Sequence, residues 1–283
     1  MTAFITEPGV YQDLDENAYH ADPVIGGSLS STGAKQLIKS PLHYRHYVDV
    51  GMAPRTAFDT GHVIHKEILG EGADLAVMDF DSWRSKASQE ARDKARADGR
   101  VPILEKDYVP LLEVANSVLD DPVVGPWFTG KGDSEVSIFH KHPEHGVWMR
   151  GRIDRIIKDG DQTILIDVKT TRDADPSEFG RTAAKFGYDL QRAWYKHIWE
   201  ALTGDTVRFL HVLVGLDEPT TLSVAELDDD FDWTGTELMN QALARYAECQ
   251  RTGQWPGYPT TTTPVGPPNY HINALEDLEE MEL

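Results

Sequence analysis

One cysteine, Cys249, stands in 283 residues. No disulfide can form within the chain, and such usage fits a reducing cytoplasm. No apolar run approaches the roughly 20 residues that cross a bilayer, so no membrane-spanning helix is expected. The opening residues, Met1 to Pro8, lack the basic start and long apolar core of a secretory signal. Positive charge is scarce: 27 Lys and Arg stand against 47 Asp and Glu, for a net charge of −20. A chain this acidic does not coat nucleic acid nonspecifically, because neutralising phosphate needs cations. What remains is a chain with ordinary apolar content, long enough for one large domain or two small ones.

The informative stretch is Gly151-Arg152-Ile153-Asp154, followed by Ile164-Leu165-Ile166-Asp167-Val168-Lys169-Thr170-Thr171. Two apolar runs flank the polar turn Lys158-Asp159-Gly160-Asp161, a hairpin signal. Ile164, Ile166 and Val168 form one face of the second strand, and Leu165, Asp167 and Lys169 the other. With Asp159 and Gly160 as the two-residue loop, residue 154 pairs with 165 and residue 152 with 167. Asp154 then lies diagonal to Asp167 on the same face, about 7 Å away and within joint reach of one cation. Close carboxylates raise each other's pKa unless a cation holds them ionised. Hard oxygens of this kind suit Mg²⁺ or Mn²⁺. Lys169 is itself a cation, so it orients water or stabilises charge on a phosphate. The plainer reading, a cross-strand ion pair on a surface hairpin, does not explain two acids inside apolar runs.

These residues resemble the PD-(D/E)xK nuclease superfamily. The wording Gly-Arg-Ile-Asp followed by Ile-Asp-Val-Lys-Thr-Thr is similar to its RecB-type branch, which includes the phage and prophage RecE-like exonucleases (exonuclease VIII). The resemblance runs from about Ser28 to Tyr258. It implies an α/β fold with a restriction-endonuclease-like core, a mixed central sheet flanked by helices. It implies Asp154, Asp167 and Lys169 as catalytic residues, with metal at Asp154, at Asp167 and at the backbone carbonyl of Val168. The activity implied is metal-dependent 5′→3′ exonucleolytic hydrolysis of linear double-stranded DNA in phage-type recombination. A RecT-like single-strand annealing partner, a homo-oligomeric ring and a location in the cytoplasm (the host's, if phage-encoded) come with it. An endonuclease of the same fold, or a non-catalytic binding module on a decayed nuclease fold, are the alternatives.

Along the chain, residues 1–27 read as a loop-like N-terminal extension tacked down by Tyr11 and Tyr19. Residues 28–258 form the nuclease-like domain, and 259–283 an extended Pro/Thr-rich and acidic tail. Ser30 or Ser31 caps a helix that Pro41 stops. Some RecB-type relatives carry an iron–sulfur cysteine just before that proline. Here the position is Ser40, and with one cysteine in the chain no Fe–S cluster is expected. Residues 61–70 read as a helix that places Gly61 and His65 one turn apart. A lone helical histidine is usually structural, but the family's Gly-x-x-x-His element makes His65 a metal ligand. Residues 79–100 suggest an exposed helix and 106–119 an amphipathic one. Ser134 to Phe139 form a strand whose Glu135 is a supporting metal candidate. His140, His142 and His145 fall on an exposed turn and are assigned no zinc. Residues 176–186 and 189–203 read as helices. On the second, Gln191 and Tyr195 match the family's Gln-x-x-x-Tyr pair, which joins the catalytic set. With Ser30, Lys35, Arg152 and Thr170, that pair is expected along DNA. Two strands follow near 206–216 and 220–227, and a helix opens with a capping box at Thr234 and Glu237. Arg150, Arg152, Arg155, Lys158, Lys169 and Arg172 crowd the hairpin, so a basic cleft within an acidic exterior is expected.

Overall fold

The computed structural model describes residues 4–51 and 56–268. In chain order its elements are β1 (Gly9–Tyr11), α1 (Glu16–His20), β2 (Leu29–Ser30), α2 (Ser31–Lys39), α3 (Pro41–Val50) and α4 (Thr56–Leu69). Then come β3 (Leu75–Met78), α5 (Lys86–Ala97), β4 (Val101–Leu104), α6 (Glu105–Leu119), α7 (Gly125–Thr129), β5 (Asp133–Lys141), β6 (Trp148–Asp159) and β7 (Gln162–Thr171). The chain closes with α8 (Pro176–Phe186), α9 (Tyr188–Thr203), β8 (Val207–Gly215), β9 (Leu222–Ala225) and α10 (Asp229–Thr252). Among the described residues no helix is long and apolar enough to cross a membrane.

The main sheet runs β1-β5-β6-β7-β8-β9, with β2 pairing to β6. It is mixed: β7–β8 and β2–β6 are parallel, and the other pairs antiparallel. Alternation along β7 sorts the two cores. Leu165 joins Trp194, Phe209, Leu37 and Leu243 under α2, α9 and α10. Ile164, Ile166 and Val168 join Ile64, Val118 and Val212 under α4 and α6. This is the helix-flanked mixed sheet expected from the sequence, with the hairpin at its centre.

Three local expectations are corrected. Residues 1–27 are not all loop: β1 pairs with β5, and Asp15 caps α1 by accepting from Ala18 N at 3.0 Å. Elements of three and five residues are too short to leave a periodic signal. Tyr11 and Tyr19 do pack on Phe139 of the sheet. The last long helix begins at Asp229, not at Thr234. Asp228 caps it, accepting from Phe231 N at 3.2 Å, while Thr234 turns inward and donates to Asp189 Oδ2 at 2.9 Å. Three successive acids at 228–230 suit a helix N-terminus better than a threonine one turn further on. Finally, the hairpin loop is Gly160-Asp161, because Asp159 pairs with Gln162. Gly160 takes φ +58° as first central residue, the place where a type II′ turn wants glycine. The register therefore moves by two: Ile156 faces Leu165 and Arg155 faces Ile166.

From Gly253 to Pro268 the chain has no helix or strand, and Trp255 stacks on Tyr44 with ring centroids 5.3 Å apart. The alternating acidic and apolar end from Glu276 lies outside the described residues.

Candidate active site

A shift of two preserves the face of every side chain. Continuing the observed register one step sets Asp154 opposite Asp167 rather than diagonal to it. The ladder between β6 and β7 stops just before that rung, at Arg155 and Ile166. Further along the same edge β6 pairs with β2, through Leu29–Met149 and Ser30–Arg150. The two long strands thus part at their acids, and β2 with the N-terminus of α2 fills the gap. The site sits in this fork.

On the other edge, β5 and β6 pair through Ser134–Arg155 and Val136–Ile153, and leave out the rung of Glu135 and Asp154. Glu135 has φ +53°, a left-handed conformation that costs a non-glycine residue on the order of 1 kcal/mol. The distortion turns its carboxylate toward the fork. Arg152 holds it there, with Nε donating to Glu135 Oε2 at 2.6 Å.

From α4 comes His65. Its Nε2 lies 2.8 Å from the Val168 carbonyl, which can only accept, so that nitrogen carries the proton. The neutral ring then turns the lone pair of Nδ1 toward Asp154 Oδ2 at 3.6 Å. Burial, and after it the Lys169 charge, push the His65 pKa down, so the ring stays neutral at neutral pH. Asp154 Oδ2 also accepts from Val168 N at 2.8 Å. Its pKa is pushed well up by burial and then by the carboxylates of Asp167 and Glu135. Ligand atoms of His65, Glu135 and Asp154 lie within 4.8 Å of one another. A lone pair and two carboxylates that converge in this way, the Glu135 carboxylate steadied by Arg152, fit a hard divalent ion.

Asp167 is placed differently. It is 2% exposed, and its Oδ2 lies 2.6 Å from Lys169 Nζ. Gln191 Nε2 donates to its Oδ1 at 2.7 Å. Burial works to raise the Asp167 pKa, but the Lys169 ammonium holds it below the usual range. Burial likewise works against the Lys169 charge, yet Asp167, then Tyr188 and Asp154, keep its pKa above normal. Lys169 is therefore an ammonium at neutral pH. Lys35 reaches the same network, with Nζ 3.4 Å from Gln191 Oε1, and burial and the Lys169 charge push its pKa down to about 7.

The fork opens on a cleft of about 990 Å³, lined in part by Ser30, Arg152, Thr170 and Tyr195. Ser30 caps α2, accepting from Gly33 N at 3.1 Å, so that helix N-terminus borders the cleft. The cleft is less basic than the hairpin's arginines led one to expect. Arg150 is tied to Ser28 and Asp22, Arg152 to Glu135, Leu14 and Ser137, and Arg155 to Trp127, Gly130 and Ser134. Arginine's five donors crosslink the protein here rather than facing solvent. Arg172 and Lys185 are exposed at the rim.

Two residues escaped the sequence reading. Tyr188 lies under both lysines, its ring centre 4.6 Å from Lys169 Nζ and 5.2 Å from Lys35 Nζ. His211 pairs with Asp167 across β7–β8, fully buried among Phe179, Tyr188 and Phe209, its pKa pushed down to about 4 by burial. An aromatic after a glycine and a histidine inside an apolar strand carry no signal of their own.

Gly151 owes its place to Tyr195. A Cβ there would sit 2.8 Å from the Tyr195 ring. Gly151→Ala is expected to cost about 1–3 kcal/mol through overpacking, measured by urea unfolding. Unchanged stability would show that the ring moves freely.

By sequence, the profile of the PDDEXK-like domain of unknown function (DUF3799) matches residues 30–262. No curated protein matches. By structure, the fold is similar to a candidate exonuclease from Eubacterium rectale, with a TM-score of 0.62, 12% identity, and coverage of 90% of this chain and 96% of that one. A phage-related exonuclease from Haemophilus somnus is more distant, with a TM-score of 0.33, 14% identity, and coverage of 80% and 96%. The Eubacterium rectale likeness supports the fold alone, and the profile covers most of the chain. The protein belongs to the PDDEXK-like domain family of unknown function (DUF3799).

Proposed function

We propose that the protein is a divalent-metal-dependent deoxyribonuclease that digests linear double-stranded DNA from its ends. The observation that carries this reading is the fork: His65, Glu135 and Asp154 converge beside the Asp167–Lys169 pair at the floor of an open cleft. His65 Nδ1, Glu135 and Asp154 would hold Mg²⁺ or Mn²⁺, with Asp167 beside them. The Val168 carbonyl, expected as a metal ligand, also accepts a hydrogen bond from His65 Nε2–H and so orients that ring, a common arrangement behind a ligating imidazole. A bound divalent ion supplies a Lewis acid for the phosphate and a water of lowered pKa. The chain's own residues do the rest. Lys169, held charged, donates to the attacking water or to the phosphate oxygen that gains charge. Gln191 and Asp167 fix where that ammonium points. The α2 N-terminus at Ser30 offers backbone N–H groups to a neighbouring phosphate.

The 5′→3′ direction, the role in phage-type recombination, the RecT-like partner, the ring and the cytoplasmic setting rest on the RecE-like resemblance of residues 28–258. An endonuclease of the same fold would use every one of these residues. A decayed binding module would have little need of both acids, the lysine and the convergent histidine.

The test is digestion of end-labelled linear duplex with Mg²⁺, beside a closed circle and the Asp167→Ala protein. Loss of the linear DNA alone, absent in the variant, is the expected result, and the end released first gives the direction. Cutting of the circle would make the protein an endonuclease. If neither substrate is cut with Mg²⁺ or Mn²⁺, the catalytic reading falls.

A further inference from the structure

One wall of the cleft is aromatic. Helix α8 ends at Phe186, and Gly187 turns the chain directly into α9 in the left-handed conformation, φ +64°. That turn brings three rings into a row. Phe179 lies against Tyr188 with centroids 5.9 Å apart and planes 27° apart, and Phe186 lies against Tyr188 with the same values. Phe179 is buried, and Tyr188 carries Lys169 and Lys35 over its ring. Phe186 completes the row on the solvent side. It is 52% exposed and lines the same cleft as Asp154 and Lys169. Lys185 holds its ammonium 5.4 Å from the Phe186 ring. Phe186 thus stands one ring away from the site's lysine, half-exposed at the rim that Lys185 and Arg172 share.

Resting on the nuclease reading above, we infer that Phe186 is a stacking ledge for an unpaired nucleobase of the strand that enters the cleft. The site then takes DNA whose end is single-stranded or frayed. Every base has an apolar face, so a flat ring recognises an unpaired base without regard to sequence. In an intact duplex those faces are covered by neighbouring bases. The flanking Lys185 and Arg172 supply the phosphate contacts that the committed arginines of β6 do not. A second cleft, of about 1310 Å³, shares Arg152 and His62 with the first. Its lining carries both signs, with Asp59 paired to Arg96 and Asp98 paired to Lys94 and Arg100.

The probe is a duplex with a three-nucleotide single-stranded overhang carrying 2-aminopurine as its terminal base, prepared with the overhang at the 5′ or the 3′ end. Fluorescence is titrated in EDTA, so hydrolysis does not intervene. Stacking quenches this base. Quenching by the wild-type protein, kept in Phe186→Tyr and lost in Phe186→Leu with an affinity drop of about tenfold, is the expected result. Equal quenching and affinity in Phe186→Leu would overturn the ledge. Should Phe186→Leu instead change the mass in sedimentation, the ring belongs to a contact between copies and the ledge is likewise overturned. Cleavage of linear DNA by the wild type with Mg²⁺ is scored separately, so the ledge can fail while the nuclease reading stands.

Discussion

Asp154→Asn is expected to abolish hydrolysis, by about 10³-fold or more, while making the metal-free protein more stable at neutral pH. The two effects share one cause. Asp154 is a largely buried carboxylate facing Asp167, Glu135 and the lone pair of His65. Such an arrangement binds a cation well and tolerates its absence badly. Asparagine keeps the bond from Val168 N through its carbonyl oxygen and removes the charge. The expected gain is on the order of 1 kcal/mol, or a Tm rise of about 2–4 °C for a chain of this size.

The sign with pH follows from the raised pKa. The folded protein binds the Asp154 proton more tightly than the unfolded chain, whose value is near 3.8. Folding is therefore favoured at low pH, and that contribution is lost as pH climbs from about 3.8 through the folded value. Wild type and Asp154→Asn should match in acid and diverge toward neutrality, the variant being the more stable. Saturating Mg²⁺ or Mn²⁺ reverses the order, because an ion at 100 times its Kd adds about 2.7 kcal/mol to the wild type alone. Thermal melts at several pH values, with EDTA and with metal, check all of this. A variant that still cuts DNA, or a metal-induced shift equal in the two proteins, would remove Asp154 from the metal site.

The parts of this site that are legible in the sequence are those carried by parity. Asp154, Asp167 and Lys169 are recognisable because β-strand alternation by itself assigns each side chain a face. The assignment survives an error in the turn, since the loop lies at Gly160-Asp161 and the register changes by an even number. Helical spacing puts His65 on a face with Gly61 and Gln191 on a face with Tyr195, but only the family resemblance singles them out for the site. What is illegible is whatever depends on the ladder's breaks. No periodicity announces that Glu135 adopts φ +53°, or that β6 and β7 fork one rung before their acids. The fate of the arginines is equally hidden. Arg150, Arg152 and Arg155 look like a phosphate-binding stripe in the sequence, and the fold turns them to carbonyls and carboxylates. Phe186 shows the converse, since an apolar residue at a helix end reads as core, and only the turn at Gly187 leaves it facing the cleft.

Lys169→Met is the second large effect, and here activity and stability fall together. Asp167 is almost wholly buried, and the Lys169 ammonium 2.6 Å away is its cation. Removing one partner of a buried pair leaves the other uncompensated, at a cost of about 3–5 kcal/mol, or a Tm drop of roughly 10 °C. Loss of activity alone would not separate catalysis from poor folding, but the double variant does. Asp167→Asn with Lys169→Met removes both charges and leaves an amide oxygen to accept from Gln191 Nε2. Its stability should return to within about 1–2 kcal/mol of the wild type, while cleavage stays absent. In the wild type the lowered Asp167 pKa contributes stability that is present above about 3.8 and is lost as pH falls through the folded value. In Lys169→Met the sign inverts. The orphaned carboxylate prefers to be protonated, so acid relieves the defect. Urea unfolding across pH 3–8 should therefore show the two stability curves far apart at neutrality and converging on acidification, with the double variant near the wild type at neutral pH. If Lys169→Met is as stable as the wild type at neutral pH, the pair is solvated rather than buried. The ammonium is then free to move, and its placement by Asp167 and Gln191 falls.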